Sequence, residues 1–250
     1  MIVDAHSHLF FYENIDNKIK ENKEKNVIAI IENGLNKITN RIVIEESEKY
    51  EIVYFALGYH PTDIVKEKDE EILKEIDFIR KLNHNKFLAI GEIGLDFYYI
   101  KNEEDRKKEI KYFNEFLSLA EEINKPVIIH SREAEKEVLE ILDSYNVKVI
   151  LHSFWKPSLV EKAIEKNYYL SIPSFVYKDR GLQKIAEKLP LELILTETDA
   201  PFLDPIEKRN NNSWKIIYGL EKIAEIKKVD IEELKRIILN NFKTVFNISL

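Results

Sequence analysis

The chain contains no cysteine, which excludes disulfide staples and thiolate metal sites. It also lacks any apolar run of about 18 residues, so nothing in it reads as a membrane-spanning helix. The N-terminus, MIVDAHSHLF, breaks any continuous apolar stretch with Asp4, His6 and His8. No secretory signal is therefore visible, and a cytoplasmic location is the default expectation. A surplus of positive charge is missing too: the net charge is −7. Modules that grip duplex nucleic acid by its backbone are usually basic, so a stable nucleic-acid-binding module is disfavoured. An enzyme that holds a phosphodiester locally through cations is disfavoured less, because bound cations dominate the field of their own site.

What remains is ample material for one large core. Hydrophobic residues make up 44% of the 250 positions and aromatics 11%, far from the composition of a disordered chain. A single (β/α)8 barrel takes about 250 residues. The charged fraction of 33%, heavy in Lys and Glu, fits a thermophile, and an AT-rich genome would give a similar bias.

Short β-branched runs alternate with longer amphipathic ones. The runs read as strands are 2–6, 27–31, 52–58, 87–92, 126–130, 147–152, 168–172 and 192–196. Helical patterns fall at about 15–24, 35–49, 69–83, 103–124, 133–145, 157–167 and 180–188, with a final pair at 213–228 and 231–246. Strands such as VIAII, PVIIH and LILTE are nearly all apolar, as expected where helices cover a parallel sheet. The expectation is an α/β fold: one TIM-type barrel domain over 1–250 with an extra C-terminal helix. Pro126 opens a strand and Pro157 opens a helix. Asp204–Ser213, DPIEKRNNNS, is the most loop-like stretch.

The unusual residues fall in one consistent place. His6 and His8 lie at the end of strand 1, His60 follows strand 3, and Glu92 ends strand 4. His130 and His152 end strands 5 and 6, and Asp199 follows strand 8. Parallel barrel strands open all their C-terminal ends on one face, where catalytic residues collect, so these side chains are expected to converge. His84, in LNHNK, belongs to the opposite end and reads as an ordinary surface histidine. Strand side chains alternate with period two, so Asp4, His6 and His8 share a face. Two imidazoles at i and i+2 can chelate one ion, with Asp4 beneath them fixing their orientation. Taken singly, each residue has a plainer reading: a hydrogen-bonded histidine, a salt-bridge partner in Glu92, a turn residue in Asp199. Burying this many imidazoles and carboxylates together without a cation is costly, and the conjunction points to metal.

The motifs DAHSH (4–8), GYHP (58–61), GEIGLD (91–96), IHSR (129–132), HSF (152–154) and ETDAP (197–201) together resemble the TatD family of metal-dependent deoxyribonucleases, in the amidohydrolase superfamily. KR (208–209) and EKIAEIK (221–227) extend the resemblance over essentially the whole chain. The resemblance implies two divalent ions (Zn, Mg, Mn or Ni). His6, His8, Glu92 and Asp199 would hold one, and Glu92, His130 and His152 the other, with Glu92 bridging. It places His60 and Arg132 near the substrate's phosphate. Asp199, which could touch both metal and water, is the candidate proton acceptor, and Asp199 and Glu92 are the candidate catalytic residues. It also implies a 3′→5′ exonuclease or related phosphodiesterase acting on single-stranded nucleic acid, bound transiently.

Three positions depart from the family pattern. Ser153 stands where members commonly carry Cys, with its side chain expected to alternate away from the metal. RNNNSW replaces an RNEP-like segment. WKPS replaces a Gly-containing one, leaving Trp155 to stack on a base or to pack on the helix that follows strand 6, with packing favoured. The residues alone say only metal-assisted hydrolysis. A carboxylic ester, lactone or amide substrate, including an aminoacyl-tRNA ester, is the alternative, and a non-catalytic metal-binding scaffold a remote one.

Overall fold

In the computed structural model of the chain, residues 1–207 and 210–250 are described, and Lys208 and Arg209, the KR pair, lie outside them. Among the described residues eight strands form one parallel sheet in chain order. They are β1 (Ile2–Ser7), β2 (Val27–Asn33), β3 (Val53–Leu57), β4 (Phe87–Asp96), β5 (Val127–Arg132), β6 (Val149–His152), β7 (Tyr169–Pro173) and β8 (Ile194–Glu197). Register runs in step between β2 and β3, with Ile30 opposite Val53 and Ile31 opposite Tyr54, and shifts within the β1–β2, β3–β4 and β4–β5 pairs. The ring closes at its upper end. The Thr198–Pro201 segment after β8 meets β1 through Asp199 N–H to the His6 carbonyl (2.9 Å) and His8 N–H to the Ala200 carbonyl (2.9 Å).

The helices cover the outer face: α1 (Ile15–Glu24), α2 (Lys37–Lys49), α3 (Pro61–Ile64), α4 (Asp69–Lys81), α5 (Glu103–Glu122), α6 (Glu135–Leu142), α7 (Val160–Glu165), α8 (Arg180–Lys188), α9 (Ile216–Lys227) and α10 (Ile231–Phe246). Their starts carry the chemistry the sequence suggested. Asn36, Asn102, Asp179 and Asp230 each accept a backbone N–H from the first turn of the helix they precede. Tyr112, Phe113, Phe116 and Leu117 of α5 are fully buried against the sheet. The barrel with an additional C-terminal helix, α10, is as expected. None of the described helices is long and apolar enough to cross a membrane.

Three boundaries differ from the expectation in ways that shape the site. β4 runs four residues past Glu92 to Asp96, pairing Gly94 with His130 and Asp96 with Arg132. Gly94 makes this possible: its φ is +145°, and a Cβ there would lie 1.9 Å from the His130 carbonyl oxygen. α3 is a short turn of helix, with Pro61 in its first turn and His60 as its cap. Pro157 opens a turn, closed by Leu159 N–H to the Lys156 carbonyl, and α7 begins only at Val160.

Candidate metal centre

Two nests of side chains meet at the upper end of the barrel. In the first, His6 Nε2 and His8 Nε2 stand 3.1 Å apart. Glu92 Oε2 lies 3.4 Å from both, and Asp199 Oδ1 lies 3.6 and 3.5 Å from them. Donor atoms about 2.1 Å from a common ion in tetrahedral array stand about 3.4 Å apart, so these separations fit a small divalent cation. His8 is aimed by its other nitrogen, whose N–H reaches the Asn33 carbonyl at 2.9 Å. Asp199 sits in the left-handed region (φ 55°), held there by bonds from its N–H to His6 and from Phe202 N–H to its carbonyl.

In the second nest, Glu92 Oε1 faces His130 Nδ1 at 2.9 Å, His60 Nε2 at 3.7 Å and His152 Nε2 at 3.8 Å. The two oxygens of one carboxylate thus serve two neighbouring groups. Each imidazole is backed by a second partner. His130 Nε2 meets Asp96 Oδ2 at 2.9 Å, and His152 Nδ1 meets Glu197 Oε2 at 2.8 Å. Such carboxylate–histidine pairs fix ring orientation and raise ligand basicity. The remaining oxygens of these carboxylates are engaged as well: Asp96 Oδ1 accepts Tyr99 N–H, and Glu197 accepts the hydroxyls of Ser153 and Ser171. As placed, both hold an imidazole while their other contacts hold them. His60 Nδ1 accepts from Thr62 N–H and pairs with the Thr62 hydroxyl, which leaves the proton of the neutral ring on Nε2, the nitrogen that faces Glu92.

The electrostatics fit a cation. Burial opposes charge on His8, but Asp199 and Glu92 push it up to about 10. Burial likewise opposes charge on His130, and Asp96 and Glu92 push it up to about 9. Burial also works against the Glu92 carboxylate, yet the surrounding imidazoles hold it well below the ordinary range. The carboxylates thus pull positive charge into a buried pocket, and a divalent cation supplies it while displacing the protons. His60 is the exception: burial lowers it to about 4, so it is neutral at neutral pH. His6, His8 and Asp199 can offer donor atoms within 4.8 Å of one another, and so can Glu92, His130 and His152; His6, His152 and Glu197, and His60, Asp96 and His130, do so as well.

Sequence comparison agrees with this geometry. The profile described as TatD related DNase matches residues 3–247. The chain belongs to this family. A relative from Methanocaldococcus jannaschii, named an uncharacterized metal-dependent hydrolase, is 35% identical over 96% of this chain and 94% of its own. The human deoxyribonuclease TATDN3 is 30% identical over 98% of this chain and 94% of its own. The fold matches the crystal structure of the Escherichia coli TatD homolog YJJV, with a TM-score of 0.90 at 24% identity over 99% of this chain and 98% of that one. The chain is a metal-dependent hydrolase of the TatD family.

All six sequence-selected ligand candidates, and His60, line this one TatD centre. Arg132 lies beside it on the rim, exposed at the end of β5. His84 stays at the other end of the barrel, its ring tilted against that of Phe55 with centroids 5.1 Å apart.

Three expectations change, and a fourth departure gains a structural account. Asp4 does not touch either imidazole: its carboxylate accepts Thr198 N–H (3.0 Å), the Thr198 hydroxyl (2.6 Å) and His6 N–H (3.2 Å). It ties β1 to the turn that carries Asp199. Ser153 does not follow strand alternation, because β6 ends at His152 and Ser153 is left-handed (φ 42°). Its hydroxyl instead reaches Glu197 Oε1 at 2.5 Å. Trp155 packs on Phe175 and bonds to Asp179 Oδ1 (3.2 Å), on the β7–α8 connection and not on the helix after strand 6. After the described residues resume at Asn210, Asn211 and Asn212 hold the chain by hydrogen bonds. Asn211, fully buried, donates to the Thr198 and Phe202 carbonyls at 2.9 and 2.8 Å, and Asn212 donates to Glu21 at 2.9 Å.

Two supporting residues escaped the sequence reading, Asp96 and Glu197. The signal was their place at strand ends: Asp96 ends β4 and Glu197 ends β8, the positions from which the other candidates also project.

Proposed function

We propose that this TatD-family hydrolase is a 3′→5′ exonuclease on single-stranded nucleic acid, with two divalent cations at the centre. His6, His8, Glu92 and Asp199 would hold one ion, and Glu92, His130 and His152 the other. The observation that carries the reading is the division of the Glu92 oxygens, Oε2 facing one nest and Oε1 the other. What bound divalent cations supply at such a centre is Lewis acidity toward a phosphoryl oxygen and acidification of water near neutral pH.

The chain's own residues do the rest. Asp199 is the one ligand carboxylate with appreciable exposure, its side chain 19% accessible, and it lines the open cavity of the mouth. It is placed to accept the proton of the attacking water and to pass it on. His60, neutral with its proton on Nε2, donates a hydrogen bond into the site without repelling cations. Arg132 presents a planar fork suited to a non-bridging phosphate pair. The name of the human relative, a deoxyribonuclease, supports the phosphodiester class.

A substrate panel tests this reading. Single-stranded DNA, RNA, a carboxylic ester and a lactone are each offered with Mg²⁺, Mn²⁺ or Zn²⁺. Turnover should be highest on the oligonucleotides. Faster ester or lactone hydrolysis under all three metals would replace the nuclease reading with a carboxyl-ester one.

A further inference from the structure

Exposed aromatic rings stand on two opposite sides of the centre. On the β1–β8 side, Phe11 is 49% exposed and packs edge-on against Phe202 (5.6 Å between ring centroids), and its ring lies 6.0 Å from that of His8. Phe11 lies three residues past ligand candidate His8, and Phe202 three past Asp199. On the β4–β5 side, Tyr98 is 42% and Tyr99 63% exposed, with the Arg132 guanidinium 3.9 Å above the Tyr98 ring. Tyr98 lies two residues past Asp96, and Arg132 two past His130. In a ring of eight strands ordered β1 to β8, the β1–β8 seam faces the β4–β5 pair, so the two groups flank the metal centre.

Folding does not account for these rings. Large apolar side chains left in water next to a buried polar centre mark a contact surface. Beside Arg132 a cavity of about 460 Å³ reaches His130, His152 and Asp199, and beside Phe11 and Phe202 a groove of about 800 Å³ runs past Lys18. With a net charge of −7, the chain has no broad positive field to hold a polyanion. Base stacking is the interaction that gives affinity for a single strand without such a field, and it tolerates any sequence because every base has a π-face.

We propose that Phe11 with Phe202, and Tyr98 with Arg132, are stacking platforms for the bases on either side of the scissile phosphate. The inference rests on the nuclease reading and names what sets its specificity: an unpaired, base-bearing strand. Duplex ends, whose bases are stacked on one another, are excluded until they fray. Arg132 has two roles in one position, guanidinium edge to phosphate and guanidinium face to the Tyr98 ring.

The test varies the base as well as the protein. A single-stranded oligonucleotide and its analogue with abasic residues at the 3′ end are compared on wild type, Phe11→Ala, Tyr98→Ala and the conservative Tyr98→Phe. Removing the bases should raise the wild-type KM about tenfold or more, in line with alanine losses at stacking sites. That difference should shrink in each alanine variant and return in Tyr98→Phe. Binding of a fluorescent oligonucleotide in EDTA, read by anisotropy, should weaken in the same order. Unchanged KM ratios and unchanged binding in both alanine variants overturn the platforms while leaving the nuclease reading intact. Weakened binding in the variants without cleavage by any metal-loaded protein sinks the nuclease reading and keeps the platforms. Neither cleavage nor binding by wild type removes both.

Discussion

Glu92 is the residue on which both halves of the centre depend, since its two oxygens face different imidazole groups. Glu92→Ala is expected to lower metal content itself, read by elemental analysis after equilibration with Zn²⁺ or Mn²⁺. A variant retaining the full wild-type complement would refute the bridging role. Glu197 acts one step back, on His152. Glu197→Gln keeps the shape but weakens the hold on the imidazole, and metal affinity should fall about 10- to 100-fold, as for other second partners of ligating histidines. A chelator titration reads the change, and unaltered affinity would mean that Glu197 serves only the Ser153 and Ser171 hydroxyls. At this scale the sequence was informative about ligand candidates and less so about their supports. Ligand types at strand ends stand out, whereas the partner of Asp4 is Thr198, a bond across 194 positions that no local pattern signals.

At the scale of elements, the union of β4 with α5 has a titratable feature. Glu109, buried on α5, accepts Asp96 N–H at 3.0 Å, and burial pushes its carboxyl up to about 7 from the ordinary 4.5. Below about 4.5 the group is protonated whether the chain is folded or not. As pH rises toward about 7 the unfolded chain releases the proton first, so stability falls through that window and levels off above it. Glu109→Gln removes the charge and keeps an acceptor. Its stability relative to wild type, from denaturant unfolding in EDTA, should improve on the order of 2 kcal/mol between about pH 5 and about pH 8.5. An improvement independent of pH would contradict the assignment. The loop before α9 gives a second case. Asn211→Ala strips the donors to the Thr198 and Phe202 carbonyls and should cost about 2 kcal/mol. A loss below a few tenths would mean the loop is held by other contacts. Element boundaries were the least legible feature of the sequence. The extension of β4 to Asp96 depends on the close approach of Gly94 to His130, a tertiary fact, and α3 on a short cap-and-proline turn.

Taken whole, the molecule is a barrel whose order of strands was readable because apolar strands and amphipathic helices alternate along the entire chain. The same regularity made the site readable, since parallel strands deliver distant residues to one face. The rim was less legible, because exposed Phe11, Tyr98 and Tyr99 resemble core aromatics until their surroundings are known. Metal-loaded protein should shorten a 5′-labelled single-stranded oligonucleotide stepwise from its 3′ end. Asp199→Asn should keep considerable metal but lose about 100-fold or more in kcat, the usual contribution of a proton-transfer group. The decisive measurement is that ladder, run for both proteins with metal content determined on the same samples. A 3′-end ladder in wild type that vanishes in Asp199→Asn bears out the central claim. Wild-type protein with both metal positions filled and no cleavage, or Asp199→Asn cleaving at the wild-type rate, contradicts it.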